Sequence, residues 1–561
     1  MSTNYFVTAA LPYINNVPHL GNIIGSTLSA DVYARYLRKC GKNVTFVCGT
    51  DEYGTATELK AQQEGLGCEE ICAKYRALHK EVYDWFNISF DIFGKTTTET
   101  HTELAQEIFT SLYKKGLFVE KETEQFFCET CSKFVCDRYI HGVCYYPDCG
   151  GVTKGDQCDD CKKLVNVEKL AKKWCSVCKS IPIKKTTWHL YLKIDEFTDR
   201  LTEYFLGQHP GSISYISQIA YDITKAWIKR GLEDRSVTRD LKWGTPIPKL
   251  AGLEKYWDKV LYVWFDAPIG YLSILKHAKT DWRDWIGCNS KWIQFLAKDN
   301  VPFHSIIFPA TLYGSDLDTK GVTHLVSTEY LMFDGKKFSK SENIGIFGNQ
   351  VQKLSNELDI DEDYWRYYLI KIRPESADSE FTYENFCTVV KTELAQKIGN
   401  LINRILCLHK KTYGVDQNIG CKDELIFEFD SEIKGQLCNI ILEYFNAFEK
   451  FCYHDVIKSI SKITDIGNML FDKYKLWEIC KMDGENAKKY FGNVCAVTWL
   501  YGELCEPIMP KKSKKIKSYF NCGNINNGYD NINEIINNGF GIVQIDSSNI
   551  EILFKQFTIG T

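Results

Sequence analysis

The chain lacks an excess of charge of either sign: 68 Lys and Arg stand against 72 Asp and Glu, a net charge of −4 at neutral pH. That balance argues against a protein that coats DNA indiscriminately, although a local basic strip is enough to engage RNA phosphates. Long hydrophobic runs are also missing. No apolar stretch approaches the roughly 18 to 20 residues that cross a bilayer. The first residues carry no basic cluster, and Pro12 and Asn15 interrupt the first apolar segment, so neither a membrane span nor a secretory leader is expected. No internal repeat is visible apart from paired cysteines. With 44% hydrophobic and 25% charged residues, the 561-residue chain suits roughly three or four globular domains, expected in the cytosol.

Cysteine is the opposite case. There are 23, and in a reducing compartment clustered pairs point to metal rather than to disulfides. The clusters are Cys128-x2-Cys131, Cys144-x4-Cys149, Cys158-x2-Cys161 and Cys175-x2-Cys178. A CxxC turn presents two thiolates on one side, and two such turns complete a tetrahedral Zn²⁺ site. Four turns are enough for two ions. With only thiolate ligands no position is left for water, so one or two structural zincs are expected. The preferred grouping puts the outer two turns in one site and the inner two in the other, while spacing alone leaves the other pairings of the four turns open. Cys136 falls outside the pattern. "CYYPDC", two residues longer than CxxC, puts the geometry of the inner site in question.

Ahead of the cysteines, short apolar runs alternate with helical patterns, the signature of a parallel sheet flanked by helices. Tyr5 to Ala10 reads as a strand. Ile24, Leu28, Val32 and Tyr36 then recur every four residues, as one face of a helix that closes at Gly41. "PHLGN" therefore lies where a strand hands over to a helix. A helix N-terminus offers unpaired N–H groups and a partial positive charge, which suits phosphate. Gly21 lets a ligand approach the backbone, and His19 and Asn22, three apart, can both donate hydrogen bonds. A second strand over 43–49 leads into "TDEYGT". Parallel sheets bind ligands at the carboxyl ends of their strands, so Thr50, Asp51 and Tyr53 should face the same crevice.

Further along, residues 261–273 and 306–314 read as strands, and 324–345 as a loop-rich stretch. "KKFSKSENIG" places Lys336, Lys337 and Lys340 beside Ser339 and Ser341, mobile charges suited to polyphosphate. Beyond about 375 nearly everything reads helical. "PKKSKKIKS" (510–518) is a candidate basic strip, and the Asn-rich segment 521–539 reads as a mobile surface loop.

In this order, "PHLGN" and "KFSKS" resemble the HIGH and KMSKS signatures of the class I aminoacyl-tRNA synthetases. With "CGTDEYGTATELKAQQEG", "RDLKWGTPIP", "YVWFDAPIGY" and "AKDNVPFHSIIFP", the chain from residue 3 to about 516 resembles the methionyl-tRNA synthetases of the eukaryotic and archaeal type. That resemblance implies an α/β fold: a doubly wound parallel sheet of Rossmann type, split by a zinc-knuckle insertion and followed by an all-α anticodon-binding domain. The implied divisions are 1–117 and 231–322 for the two halves of the catalytic domain, 118–230 for the insertion, 323–375 for the KFSKS and stem-contact region, and 376–561 for the helical domain.

The resemblance also implies a reaction and its residues. Methionine and ATP give methionyl-adenylate, and the 3′-terminal adenosine of tRNA(Met) takes the methionyl group. The substrate carboxylate is the nucleophile, which accounts for the absence of a Ser/His/Asp or Cys/His constellation. His19 and Asn22 would hold the α-phosphate, and Lys337 and Lys340 the β- and γ-phosphates. Gly21, Arg239, Lys298, Ser339 and Ser341 would be further ATP contacts, with Mg²⁺ accompanying the nucleotide. Phe338, standing where the signature has Met, should pack. The methionine pocket maps onto Ala10, Leu11, Tyr13, Asp51, Trp264, Ala267, Pro268, Tyr271 and His304. Asp51 would pair with the α-ammonium, Trp264 would contact the polarizable thioether, and Tyr13 and His304 would be weak donors to the sulfur. The zinc knuckles would lie near the acceptor end of the tRNA, in space that synthetases for isoleucine, valine and leucine use for editing. Trp477 would stack on the first anticodon base, with Asn400, Asn403 and Arg404 as further base contacts. Neither DNA nor a membrane is implied as a partner. With no further RNA-binding or dimerisation domain after residue 561, a monomer is expected.

Overall fold

In a computed structural model of the chain, the described residues are 3–135, 139–147, 149–154, 158, 161, 165–207, 212–338, 344–413, 423–480, 484–522 and 529–559. The central layer is one parallel sheet of six strands. These are β1 (Asn4–Ala9), β2 (Asn43–Thr50), β3 (Ile92–Lys95), β4 (Tyr215–Ile216), β5 (Ser290–Ala297) and β6 (His324–Thr328), in the spatial order β4-β6-β5-β1-β2-β3. Strand order reverses between β1 and β5, and their chains leave the sheet in opposite directions. A crevice at the carboxyl ends of the strands results.

Alternation along each strand buries both faces. Phe6, Val47, Trp292, Leu296 and Leu325 enter one core, and Val7, Phe46, Ile293, Phe295 and Val326 the other. The helix Gly270–Ala278 lies very close to the sheet. A Cβ at either Gly49 or Gly94 would come to 2.6 Å from the Ile274 side chain, so these two strand glycines set the approach.

Two segments that read as strands are helical. Residues 263–278 form consecutive helical turns, and a π-helical turn, Phe303–Ile307, runs into the helix Phe308–Gly314. Each is an apolar run buried nearly all round, and without a polar face the period that separates helix from strand is lost. The strands in this part of the chain are β5 and β6 instead. The stretch 324–345 contains β6 and a short hairpin, Leu331–Phe333 with Lys336–Lys337.

The insertion is built on a long antiparallel pair, Phe118–Cys128 with Ile183–Leu192, and a smaller sheet of Ile140–Val143, Val152–Lys154 and Ala171–Cys175. β4, inside the span expected for the insertion, pairs with β6 in the main sheet.

The end of the chain is helical with one correction: it is not all-α. Asp423–Glu428, Phe540–Ile545 and Phe520–Asn521 form an antiparallel sheet. Part of the Asn-rich segment is the helix Tyr529–Asn538, not a surface loop. Tyr529, Ile532 and Ile536 are buried in the core, an apolar face that the surrounding asparagines mask in composition. The lysine strip 510–518 lies in the helix Pro510–Tyr519, and four of its five lysines are paired within the chain. Lys511 and Lys512 pair with the acidic start of the helix Glu362–Lys371, Lys515 with Glu551, and Lys517 with Glu506.

One buried guanidinium ties the layers together. Arg366 donates to Asp31 Oδ2 at 2.8 Å, to the carbonyls of Ile508 (2.8 Å) and Pro507 (2.9 Å), and to that of Phe86 (2.9 Å). Burial alone would raise the Asp31 carboxyl, but Arg35 and Arg366 hold it down at about 2. Asp31 belongs to the continuous helix α1 (20–39), whose first turn carries His19 as its cap.

Candidate active site and metal centres

His19 is the N-cap of α1, in extended backbone geometry. Its Nδ1 accepts the Asn22 N–H at 3.1 Å, and Asn22 Oδ1 accepts the His19 N–H at 3.3 Å, a reciprocal box. Since Nδ1 is an acceptor, a neutral ring carries its proton on Nε2 and is a donor there. Gly21 has a more local reason than ligand access: a Cβ would sit 3.1 Å from the His19 ring. Immediately afterwards α1 widens into a π-helical turn, Ile23–Thr27, a feature that frequently marks functional sites. Phe338 packs as expected, stacking on His19 with ring centroids 4.8 Å apart.

The amino end of α1 opens into a cavity of about 600 Å³. His19, Gly21, Asn22 and Phe338 line it, and so do all nine residues expected for the methionine pocket: Ala10, Leu11, Tyr13, Asp51, Trp264, Ala267, Pro268, Tyr271 and His304. Trp264 is stacked on Phe303 at 3.5 Å and meets Tyr13 edge-on at 5.8 Å, which makes an aromatic wall.

Two polar groups face this wall. His304 Nδ1 lies 2.8 Å from the Asn300 carbonyl, so it is the donor there, and Nε2 accepts the Tyr271 hydroxyl at 2.9 Å. Burial pushes its pKa down to about 4, so the ring is neutral. Both nitrogens are engaged inside the protein, and the expected donation from His304 to a sulfur is corrected to a contact through the ring. Asp51 is only 3% exposed, and its Oδ1 has no hydrogen-bond partner. Burial, and after it the neighbouring Asp266, raises this carboxyl well above the ordinary range. A buried carboxyl with one oxygen unpartnered in a cavity that also carries an aromatic wall suits a ligand cation.

Other expected ATP contacts are placed differently. Arg239 does not line the cavity. It donates to Ser236 Oγ and the Thr238 carbonyl and lies over the Tyr262 ring at 3.6 Å. Lys298 is held by Glu329 and by Asp378 (2.9 Å). Lys337 pairs through its backbone with Met332. Its side chain, and Ser339, Lys340 and Ser341, lie outside the described residues. Sequence reasoning missed Asp299, Asn300, Phe303, Glu329 and Tyr330 on the cavity wall. They follow β5 and β6 directly, so the rule that led to Asp51 after β2 would have found them once those strands were located.

The eight cysteines form two groups, Cys128, Cys131, Cys175 and Cys178, and Cys144, Cys149, Cys158 and Cys161. The outer-with-outer and inner-with-inner pairing holds. Zn–S bonds of about 2.3 Å in a tetrahedron put sulfurs roughly 3.8 Å apart. Here Cys128–Cys178 is 3.3 Å, Cys131–Cys175 4.0 Å, Cys144–Cys161 3.8 Å and Cys149–Cys158 3.6 Å. The longer "CYYPDC" turn closes its site as well as the others. Ser180 Oγ lies 3.0 Å from Cys178 Sγ and 3.1 Å from Cys128 Sγ. Cys136 lies outside the described residues.

At the helical end, Trp477 is 40% exposed and stacks on Phe471 at 6.0 Å, while the fully buried Leu476 anchors its short helix. Arg404 lies over the same Phe471 ring at 4.0 Å, held by Asp472 at 2.9 Å. Asn400 and Asn403 are exposed on the same helix as Arg404, and Asn403 Oδ1 accepts from Cys407 Sγ. No helix among the described residues is long and apolar enough to cross a membrane.

The family described as tRNA synthetases class I (M) matches residues 5–406. A methionine–tRNA ligase of Acanthamoeba polyphaga mimivirus is 44% identical over 98% of this chain and 98% of its own length. The cytoplasmic methionine–tRNA ligase of Homo sapiens is 43% identical over 92% of this chain, which spans 56% of it. A Mycobacterium tuberculosis methionyl-tRNA synthetase solved in complex with methionyl-adenylate shares the fold, with a TM-score of 0.75 at 20% identity over 99% of this chain and 100% of that one.

Proposed function

Because the chain belongs to the class I tRNA synthetases of the methionine type, we propose that it activates L-methionine with ATP and charges tRNA(Met). The observation that carries this reading is the cavity that joins the amino end of α1 to an aromatic pocket with a buried carboxylate. A methionine carboxylate oxygen attacks the α-phosphorus in line, the bond to pyrophosphate breaks, and methionyl-adenylate forms. The nucleophile comes with the substrate, so the chain's contribution is positioning and charge.

His19 Nε2–H, Asn22 and the first N–H groups of α1 hold the α-phosphate. Lys337 and Lys340 take up charge on the leaving pyrophosphate from the other side. Mg²⁺, when bound with ATP, neutralises the triphosphate. Asp51 pairs with the α-ammonium, and Trp264, Phe303, Tyr13 and the His304 ring enclose the thioether. The hydroxyl of the tRNA's terminal adenosine then attacks the activated carbonyl, AMP leaves and the hydroxyl proton is released. The two thiolate sets hold structural Zn²⁺, and Trp477, Arg404, Asn400 and Asn403 meet the anticodon. The protein works as a monomer in the cytosol, where thiolate sites of this kind stay reduced.

Methionine-dependent exchange of pyrophosphate into ATP tests the reading. Exchange with methionine and not with isoleucine, valine or leucine is expected. Exchange with none of the four, or stronger with a branched amino acid, would overturn it.

A further inference from the structure

The reaction above asks for one direction from His19, that of Nε2–H, and the helix cap settles only part of it. The cap holds Nδ1 against the Asn22 N–H at 3.1 Å. One hydrogen bond fixes one atom of a ring, so the plane of the imidazole needs a second constraint. Phe338 supplies a flat surface for it: the two rings are stacked, with centroids 4.8 Å apart and planes 21° from parallel. Phe347 meets the same imidazole edge-on, at 6.3 Å and 77°.

Both phenylalanines belong to the stretch that follows β6, and the backbone there is committed to placing them. Residues 19 and 347 form an antiparallel bridge, and the Gly348 N–H donates to the Pro18 carbonyl at 2.9 Å. Phe338 directly follows the strand Lys336–Lys337, and its ring meets Phe333 of the facing strand at 6.0 Å. A glycine keeps room for that ring. A Cβ at Gly345 would lie 2.1 Å from Phe338 Cδ1, and its φ of +118° is one that other residues rarely adopt. On the side of α1, a Cβ at Gly21 would already touch Phe338 Cδ2 at 3.6 Å. Phe338 is half-buried and lines the cavity beside His19, Gly21 and Asn22. Any apolar side chain could fill this space, but a ring lying nearly parallel to another also sets its tilt.

Resting on the assignment of His19 to the α-phosphate, we propose that Phe338 is a positioning residue for the adenylation step: it holds the plane of the imidazole so that Nε2–H points at the phosphate. A hydrogen bond weakens steeply as its angle closes, and groups that act in a transition state need placing to within about 10 to 20°. Phe338 offers no polar atom to the substrate. Its effect on rate is exerted through His19, which distinguishes it from the adjacent Lys337, whose charge acts on the pyrophosphate directly.

Steady-state pyrophosphate exchange on the whole enzyme tests the idea. Phe338→Leu keeps most of the volume and loses the flat face. It should lower kcat roughly ten-fold, within the range produced by displacing a catalytic group by up to about 1 Å. KM for methionine should stay unchanged, since Phe338 is not among the nine residues assigned to the amino acid. Phe338→Tyr, which keeps the flat face, should exchange at close to the wild-type rate. In a His19→Ala background, Phe338→Leu should cost nothing further, because orienting a ring has no effect once the ring is gone. Phe338→Ala makes the same pair of comparisons if Phe338→Leu folds poorly. A similar loss in both backgrounds would mean that Phe338 acts through Lys337 or the substrate, and would overturn the proposal. So would Phe338→Leu at the wild-type kcat, Phe338→Tyr as slow as Phe338→Leu, or a raised KM for methionine at unchanged kcat. His19→Ala alone separates the two layers. If it exchanges at the wild-type rate, the assignment of His19 fails. If it is slow while Phe338→Leu is not, only the role of Phe338 fails.

Discussion

The crevice at the sheet and the helical end of the chain solve recognition in opposite ways. In the crevice the polar groups are held before a ligand arrives. His19 is locked in a cap, His304 is bonded through both nitrogens, and Asp51 is buried with its Oδ1 unpartnered. At the helical end, Trp477 presents a ring 40% exposed on a helix of four residues, stacked on Phe471. The first arrangement suits small substrates whose charges must be met at fixed points. The second suits a base that stacks on whatever plane is offered. Preorganised charge is expected to matter for the chemical step and open aromatic surface for affinity.

The largest effect expected from this contrast is in the crevice. His19→Ala removes the Nε2 donor and should cost about 10²- to 10³-fold in the rate of pyrophosphate exchange, as loss of one oxyanion donor does elsewhere. Methionine binding measured by calorimetry should be unchanged. Equal losses in both would mean that His19 only supports the fold. Next is Trp477→Ala. A stacked base is worth about 1 to 3 kcal/mol, so KM for tRNA should rise roughly five- to 150-fold while exchange proceeds normally. Exchange that collapses together with charging would erase the distinction between the two ends.

A smaller effect is the pH response of the methionine site. Asp51 is raised by burial and then by Asp266, so its anionic form is lost first as the pH falls. KM for methionine should therefore climb towards acid by up to about ten-fold per pH unit. His304, pushed down to about 4, stays neutral between pH 5 and 8 and adds nothing to the profile. A KM that is flat over this range would place the substrate ammonium elsewhere. The smallest effect on exchange is expected from the zinc knuckles, whose cysteines do not line the crevice cavity. Cys149→Ser should reduce bound zinc from about two to about one per chain by elemental analysis, and the exchange rate should hold. Unchanged zinc would mean that the inner set holds no metal.

Much of the crevice was legible because its signals are local. A capping residue, a following helical period and the end of a strand all lie within a few residues of His19, whereas the nine pocket positions that line the same cavity were implied by the family resemblance. What stayed hidden depends on partners distant in sequence. Residues 261–273 and 306–314 read as strands because they are buried on nearly every side. Lys298 looked free for phosphate until Glu329 and Asp378, which sequence alone does not place beside it, took its charge. The lysines of 511–517 looked like a nucleic-acid strip for the same reason, since their acids come from residues 361–362, 506 and 551. For the cysteines, the turns themselves were legible, but which two turns share a site was settled only by the fold.

Arg366 has a mechanical consequence. Its guanidinium grips the helix that starts at His19 and, through Ile508 and Pro507, the base of the last helices. A rivet at this point keeps the helix that opens the crevice and the last helices at one fixed separation.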